Sequence, residues 1–180
     1  MDTALRAELG APDVRWIVAI PAHDREAALR GAEASAARLA PLVEQGVLAH
    51  VDTPARWLPS TATQRQRQAA LPAPDELKAR LTTALTGLPL RAEKLQGFVD
   101  DVARARDGPL LTPESFAGTS LGFALQSLLV ERATPAAGEP AWLALLPLHA
   151  PAGQPIDIDR VRNALATGAA DGGMPLLLDM

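Results

Sequence analysis

The sequence predicts an α+β fold in which strand-helix-strand units at residues 14–51 and 141–179 pair into one four-stranded sheet, with an all-helical segment, residues 60–132, inserted between strands 2 and 3. Three observations predict it. Runs rich in β-branched and aliphatic residues, closed by Pro or Gly, occur near both ends of the chain. Apolar residues at three- and four-residue spacing fill the middle. Finally, 36 Ala and 28 Leu among 180 residues supply two of the strongest helix formers, so helix should dominate wherever the strand runs stop.

The elements follow in order. Val14 to Ile20 reads as a buried strand closed by Pro21, and Asp24 then offers an N-cap to a helix whose stripe is Leu29, Ala32, Ala36, Leu39 and Val43. Gly46 stops that helix, and Val47 to Val51 forms the second strand. In the insertion, Thr61 and Gln64 have capping-box spacing, Pro74-Asp75 opens a helix carrying Leu77, Leu81, Leu85 and Leu88, and Leu95, Phe98, Val99 and Val102 mark another that ends near Gly108. Thr112-Pro113-Glu114 opens a last inserted helix bearing Phe116, Leu121, Leu125, Leu128 and Leu129. Trp142 to Leu148 is then a strand bounded by Pro140 and Pro147, Asp157 or Asp159 caps a helix with Val161, Ala164 and Leu165, Gly168 ends it, Gly172-Gly173 turns, and Leu176 to Leu178 is the final strand. This order is that of a split βαβ, ferredoxin-like sheet. Two helices cover one face of such a sheet, which leaves the other to the inserted helices or to a partner.

Composition narrows the function. The absence of cysteine removes disulfides, thiolate metal sites and cysteine nucleophiles. A formal charge of −4, with 17 basic residues of which only Lys78 and Lys94 are lysines, argues against a nucleic-acid partner. No apolar run reaches the roughly 18 to 20 residues of a membrane span, and Met1 to Gly10 lacks the pattern of a signal peptide. The chain stops on an apolar, strand-like run, Leu176 to Met180, as expected of a segment cut from a longer protein.

Several residue patterns could carry chemistry. Gly118-Thr119-Ser120-Leu121-Gly122 matches the G-x-S-x-G nucleophile elbow, the basis of a serine hydrolase reading. The elbow requires a strand before the serine, whereas Thr112-Pro113 has already opened a helix, so Ser120 is expected inside it and the two glycines are expected to admit a close backbone approach. His23, His50 and His149 each fall near a strand end, where the assembled sheet could bring them together, but no pair has the spacing of a local metal motif. Asp100-Asp101 and Asp157-x-Asp159 read as a solvated face and a helix start, and Arg65, Arg67 and Arg80 as the wet side of helices. Trp16, Trp57 and Trp142 are half of all aromatics, and core packing is their simplest role. No catalytic residue, cofactor or metal is expected.

The segment Pro54-Ala55-Arg56-Trp57-Leu58-Pro59-Ser60, followed by Gln64-x-x-Arg67-Gln68-Ala69-Ala70-Leu71-Pro72, resembles the large periplasmic loop of MMPL-type transporters in the resistance-nodulation-division (RND) superfamily. Further agreement lies in Asp24 to Leu29 with Glu33, Gly87-Leu88-Pro89-Leu90, Phe98 to Val102 with Ala105-Arg106, Leu121 to Leu129, and Trp142 to Leu148. The likeness spans nearly the whole chain and points in particular to exporters found beside bacterial aryl-polyene or xanthomonadin-like pigment genes. It implies a non-catalytic periplasmic porter-like domain of an inner-membrane pump, whose proton-relaying acids lie in membrane segments outside this chain. Its implied partners are other periplasmic and transmembrane domains of the same transporter and a hydrophobic or lipid-like cargo. An apolar passage is expected near Phe98, Phe116, Phe123 and Trp57. The rival reading is a freestanding ferredoxin-like ligand-binding or regulatory module.

Overall fold

The computed structural model describes residues 15–133, 139, 141–166 and 174–180. Val14, Pro140, Gly168 and Gly172-Gly173 lie outside the described residues. Six α-helices and a five-stranded antiparallel sheet are present among them. The chain forms two compact units, one of residues up to Ser60 together with those from Thr112 onward, the other spanning Thr61–Leu111.

In the first unit, strand β1 (Trp16–Ala22) pairs along its whole length with β4 (Trp142–His149), from Trp16 opposite Leu148 to Ala22 opposite Trp142. Strand β5 (Leu176–Asp179) lies on the other side of β1, and β2 (His50–Val51) on the far side of β4, giving the order β2-β4-β1-β5. Because every neighbour is antiparallel, β1 runs parallel to β2 with β4 between them, and β4 runs parallel to β5 with β1 between them. Each of these split pairs is bridged by one helix, α1 (Arg25–Glu44) for the first and α6 (Ile158–Ala166) for the second.

Alternation decides which side chains meet the helices. Val18, Ile20, Ala144, Leu146 and Leu148 are all fully buried and join one core with Ala28, Leu29, Ala32 and Leu39 of α1 and Val161 and Leu165 of α6. The alanine-rich face of α1 brings its backbone close to the sheet, and this is where the high Ala content is used. Asp24 starts the helix as expected, its Oδ1 accepting from the Ala27 N–H at 2.7 Å. On the opposite sheet face Leu143, Leu145 and Pro147 are half-buried and Leu176 and Leu178 are exposed, so that face is apolar yet partly open. At the sheet edge, Arg15 binds the Asp179 carboxylate through Nε at 2.8 Å, and this hydrogen bond holds the Asp179 pKa below its ordinary value.

Pro21 and Pro147, expected to close the first and third strands, instead lie inside β1 and β4, opposite Leu143 and Ile17, and three larger expectations need correction as well. The sheet has a fifth strand, β3 (Leu129–Glu131), where a helix end is read from the leucine spacing. Leu129 is extended, with φ −129° and ψ 95°, because Leu129, Val130 and Glu131 pair with Ala144, Leu143 and Trp142 of β4 and tertiary pairing overrides local helix propensity. Strand β3 lies on the same edge of β4 as β2 and runs in the same direction, so the two are halves of one interrupted edge strand. Second, the helix expected from Thr112 is broken: Pro113–Phe116 is a 3-10 turn, and α5 (Ser120–Leu128) starts afresh with Thr119 as N-cap, its hydroxyl accepting from the Gly122 N–H at 3.1 Å. The break is set by Gly118, whose φ of 72° suits a residue without Cβ. Third, the second strand is only His50–Val51 long, since Gln45 to Gly46 and Val47 still make turn hydrogen bonds to Pro41, Val43 and Leu42.

The helical unit contains α2 (Thr61–Ala70), α3 (Pro74–Ala84) and α4 (Gln96–Asp107). Glutamine side chains tie it together: Gln64 accepts from the Leu111 N–H at 2.7 Å, and Gln68 Nε2 donates to the carbonyls of Ala105 and Gly108 at 3.1 and 2.9 Å. Val99 is buried, whereas Leu77, Leu81 and Leu85 of the expected stripe are only half-buried and Leu88 is exposed.

The β1–β4 ladder is the centre of the core. Leu146→Ala should lower stability by about 2–5 kcal/mol in a urea titration, the range for deleting a fully buried leucine side chain; a loss below about 1 kcal/mol would contradict this packing.

Candidate functional site

The segment that carries the resemblance serves as a staple at the point where the chain leaves the sheet. Thr53 Oγ1 accepts from the Ala55 N–H at 3.3 Å, and Pro54 opens a 3-10 turn, Pro54–Arg56. Pro54, Ala55 and Leu58 are buried, and Trp57 closes the turn half-buried. Ser60 is fully buried and docks on α1 through both its polar groups: its N–H donates to Glu33 Oε1 at 2.8 Å and its hydroxyl to Oε2 at 2.7 Å. Hydrogen bonds to a carboxylate are the strong kind, and this pair uses both oxygens of one side chain.

Of the aromatic residues expected in an apolar passage, Trp57, Phe116 and Phe123 belong to the first unit and Phe98 to the helical unit. Trp57 belongs to the staple. Phe116 ends the 3-10 turn and packs against the sheet core. Phe123, on α5, is 71% exposed and lines a shallow groove of about 230 Å³ with Pro113, Gly118, Thr119, Gly122 and Leu125. Phe98, on α4 of the helical unit, is 50% exposed.

Ser120 is exposed and is the first residue of α5, after a turn rather than a strand. Gly118 supplies the positive φ of that turn, so it is not on a helix face with Gly122 as the spacing suggests. Gly122 is needed because a Cβ there would fall 2.4 Å from the Phe116 carbonyl oxygen. The G-x-S-x-G pattern is accounted for by the turn and by this close approach of the chain's own backbone. The paired acids have local partners as well: Asp100 accepts from Gln96 Nε2 at 2.7 Å, Asp101 pairs with Arg104, Asp157 Oδ1 accepts from the Arg160 N–H at 3.2 Å, and Asp159 pairs with Arg162 at 3.1 Å. Arg80 pairs with Glu76 one helical turn away.

The structure does bring together three residues far apart in the chain. His50 and His149 are direct cross-strand partners of β2 and β4, and their rings stack with centroids 3.7 Å apart and planes 13° from parallel. Asp52 follows His50 by two residues, the spacing that keeps a strand residue on the same face. Its Oδ2 lies 2.8 Å from His149 Nε2, while its backbone N–H continues the ladder to the Pro147 carbonyl at 3.0 Å. Burial is graded across the group: His50 exposed, Asp52 half-buried, His149 buried. One donor atom from each of the three lies within 4.8 Å of the others, which is compatible with holding a metal ion. His23 is exposed beside the α1 cap and belongs to no such group among the described residues. The sequence carries a signal for the group, His50-x-Asp52 on a strand, but only the strand register shows that His149 completes it.

The chain matches no protein-family model, no curated protein and no solved structure at a significant level.

Two measurements check this description. Glu33→Ala removes both acceptors of the buried Ser60 and should cost about 3 kcal/mol in denaturant unfolding followed by tryptophan fluorescence; an unchanged midpoint would mean the staple carries no weight. A fluorophosphonate probe should leave Ser120 unlabelled, and stoichiometric labelling abolished by Ser120→Ala would establish a nucleophile there.

Proposed function

We propose that this chain is a periplasmic, non-catalytic domain of an inner-membrane exporter of the RND superfamily, MMPL type, built on a split βαβ, ferredoxin-like sheet. In that role it contributes to the passage of a hydrophobic or lipid-like cargo and to contacts with the other periplasmic and transmembrane domains of the transporter. The observation that carries the reading is the strand order. Two strand-helix-strand units interlock as β2-β4-β1-β5, with both bridging helices in one core, the plan that the resemblance implies for a porter domain.

Two further features support it. The second sheet face exposes Leu176 and Leu178 beside half-buried Leu143, Leu145 and Pro147, an apolar surface of the kind that packs against another domain. No helix among the described residues is long and apolar enough to cross a membrane, which is compatible with a domain held between membrane segments. A pump that moves apolar cargo outside the bilayer needs a rigid body that shifts between states, and a double-crossover sheet resists internal deformation.

The test is the gene itself together with a binding measurement. The reading frame on both sides of residues 1–180 should encode apolar spans of about 20 residues; hydrophilic flanks or stop codons on both sides would overturn the exporter reading in favour of a freestanding module. With such spans present, tryptophan fluorescence of the domain titrated with a long-chain lipid or polyene should change saturably. A flat response would remove the cargo-passage part of the reading.

A further inference from the structure

We propose that His50, Asp52 and His149 form a binding site for a divalent transition-metal ion of the Zn²⁺ class, placed where the short strand β2 joins β4. The donor set is the first reason. Two imidazoles and one carboxylate suit Zn²⁺, Co²⁺, Ni²⁺ or Cu²⁺, whereas Ca²⁺ and Mg²⁺ favour all-oxygen sites. The second reason is geometry. Ligand bonds of about 2.0–2.1 Å place the corners of a coordination tetrahedron about 3.3 Å apart, and Asp52 Oδ2 is already 2.8 Å from His149 Nε2. The donor atoms of all three residues lie within 4.8 Å of one another, and the stacked rings of His50 and His149 must turn out of parallel to aim both lone pairs at one ion.

The third reason is the setting: His149 is only 8% exposed, so an ion bound at its Nε2, with the Asp52 carboxylate as co-ligand, is little screened by water. The exposed His50 gives the ion a route in from solvent, and the buried His149 gives it a low-dielectric seat. A bound ion would cross-link a two-residue strand that otherwise has few rungs to hold it.

The experiment uses the full 180-residue chain, stripped with chelator, and Zn²⁺ or Co²⁺ alone as probe. Titration calorimetry should show one Zn²⁺ per chain, Co²⁺ should develop visible absorption on binding, and millimolar Mg²⁺ or Ca²⁺ should not compete. His50→Ala, at an exposed position and checked by circular dichroism, and Asp52→Asn should each weaken Zn²⁺ binding at least tenfold, no less than the loss of an outer-shell partner costs. His23→Ala should leave binding unchanged. His149→Ala adds a further arm read alongside circular dichroism, since a buried residue is removed. Absence of saturable one-to-one binding to the wild-type chain, or binding that survives both His50→Ala and Asp52→Asn, would overturn the proposal.

Discussion

Everything in the first unit depends on the antiparallel ladder between β1 and β4. It joins the two strand-helix-strand units, setting Trp16 opposite Leu148 and Ala22 opposite Trp142, and the other strands take their places from it: β5 on the free edge of β1, β2 and β3 on the free edge of β4. The ladder also sets the faces. With Val18 opposite Leu146 and Ile20 opposite Ala144, the centre of one side is aliphatic and fully buried, flanked by half-buried Trp16, Trp142 and Leu177, and α1 packs its alanine face on it. A one-residue slip of β4 would turn Leu143, Leu145 and Pro147 toward the helices in place of Ala144, Leu146 and Leu148, and would move His149 out of register with His50. Core and candidate metal site therefore rest on the same register.

That dependence explains what was legible in the sequence. The first, third and last strands, the α1 cap at Asp24 and the stop at Gly46 follow from local chemistry: β-branched or aliphatic runs, a short polar acceptor and a residue that tolerates positive φ; the second strand is shorter than its apolar run. β3 was not legible, because Leu128 and Leu129 continue a leucine stripe that belongs equally well to a helix, and only the free edge of β4 decides in favour of a strand. The broken helix at Gly118 and Thr119 was masked in the same way, a strong start signal at Thr112-Pro113 running into an apolar period that resumes after the turn.

The candidate sites divide along the same line. Glu33 and Ser60 stand in the segments that drew the comparison with a transporter loop, and in the structure they form a buried carboxylate staple, a structural role sufficient to account for their presence. The histidine pair was visible only as strand ends, since a site assembled by pairing has no local motif, and Asp52 becomes meaningful only through its approach to His149.

The interrupted edge strand has a consequence for how the chain can vary. His50 and Val51 take one end of the β4 edge and Leu129 to Glu131 the other, so everything between them leaves and returns within a single strand position of the sheet. Ala55, Leu58, Phe116 and Leu125 of that detour still pack in the sheet core, but Thr61–Leu111 is a compact unit of its own, and the closure entropy of such an insertion grows only with the logarithm of its length, each doubling costing about 0.6 kcal/mol. The helical unit is therefore a cassette, free to be lengthened, shortened or exchanged over evolutionary time while the ladder that receives it stays unchanged.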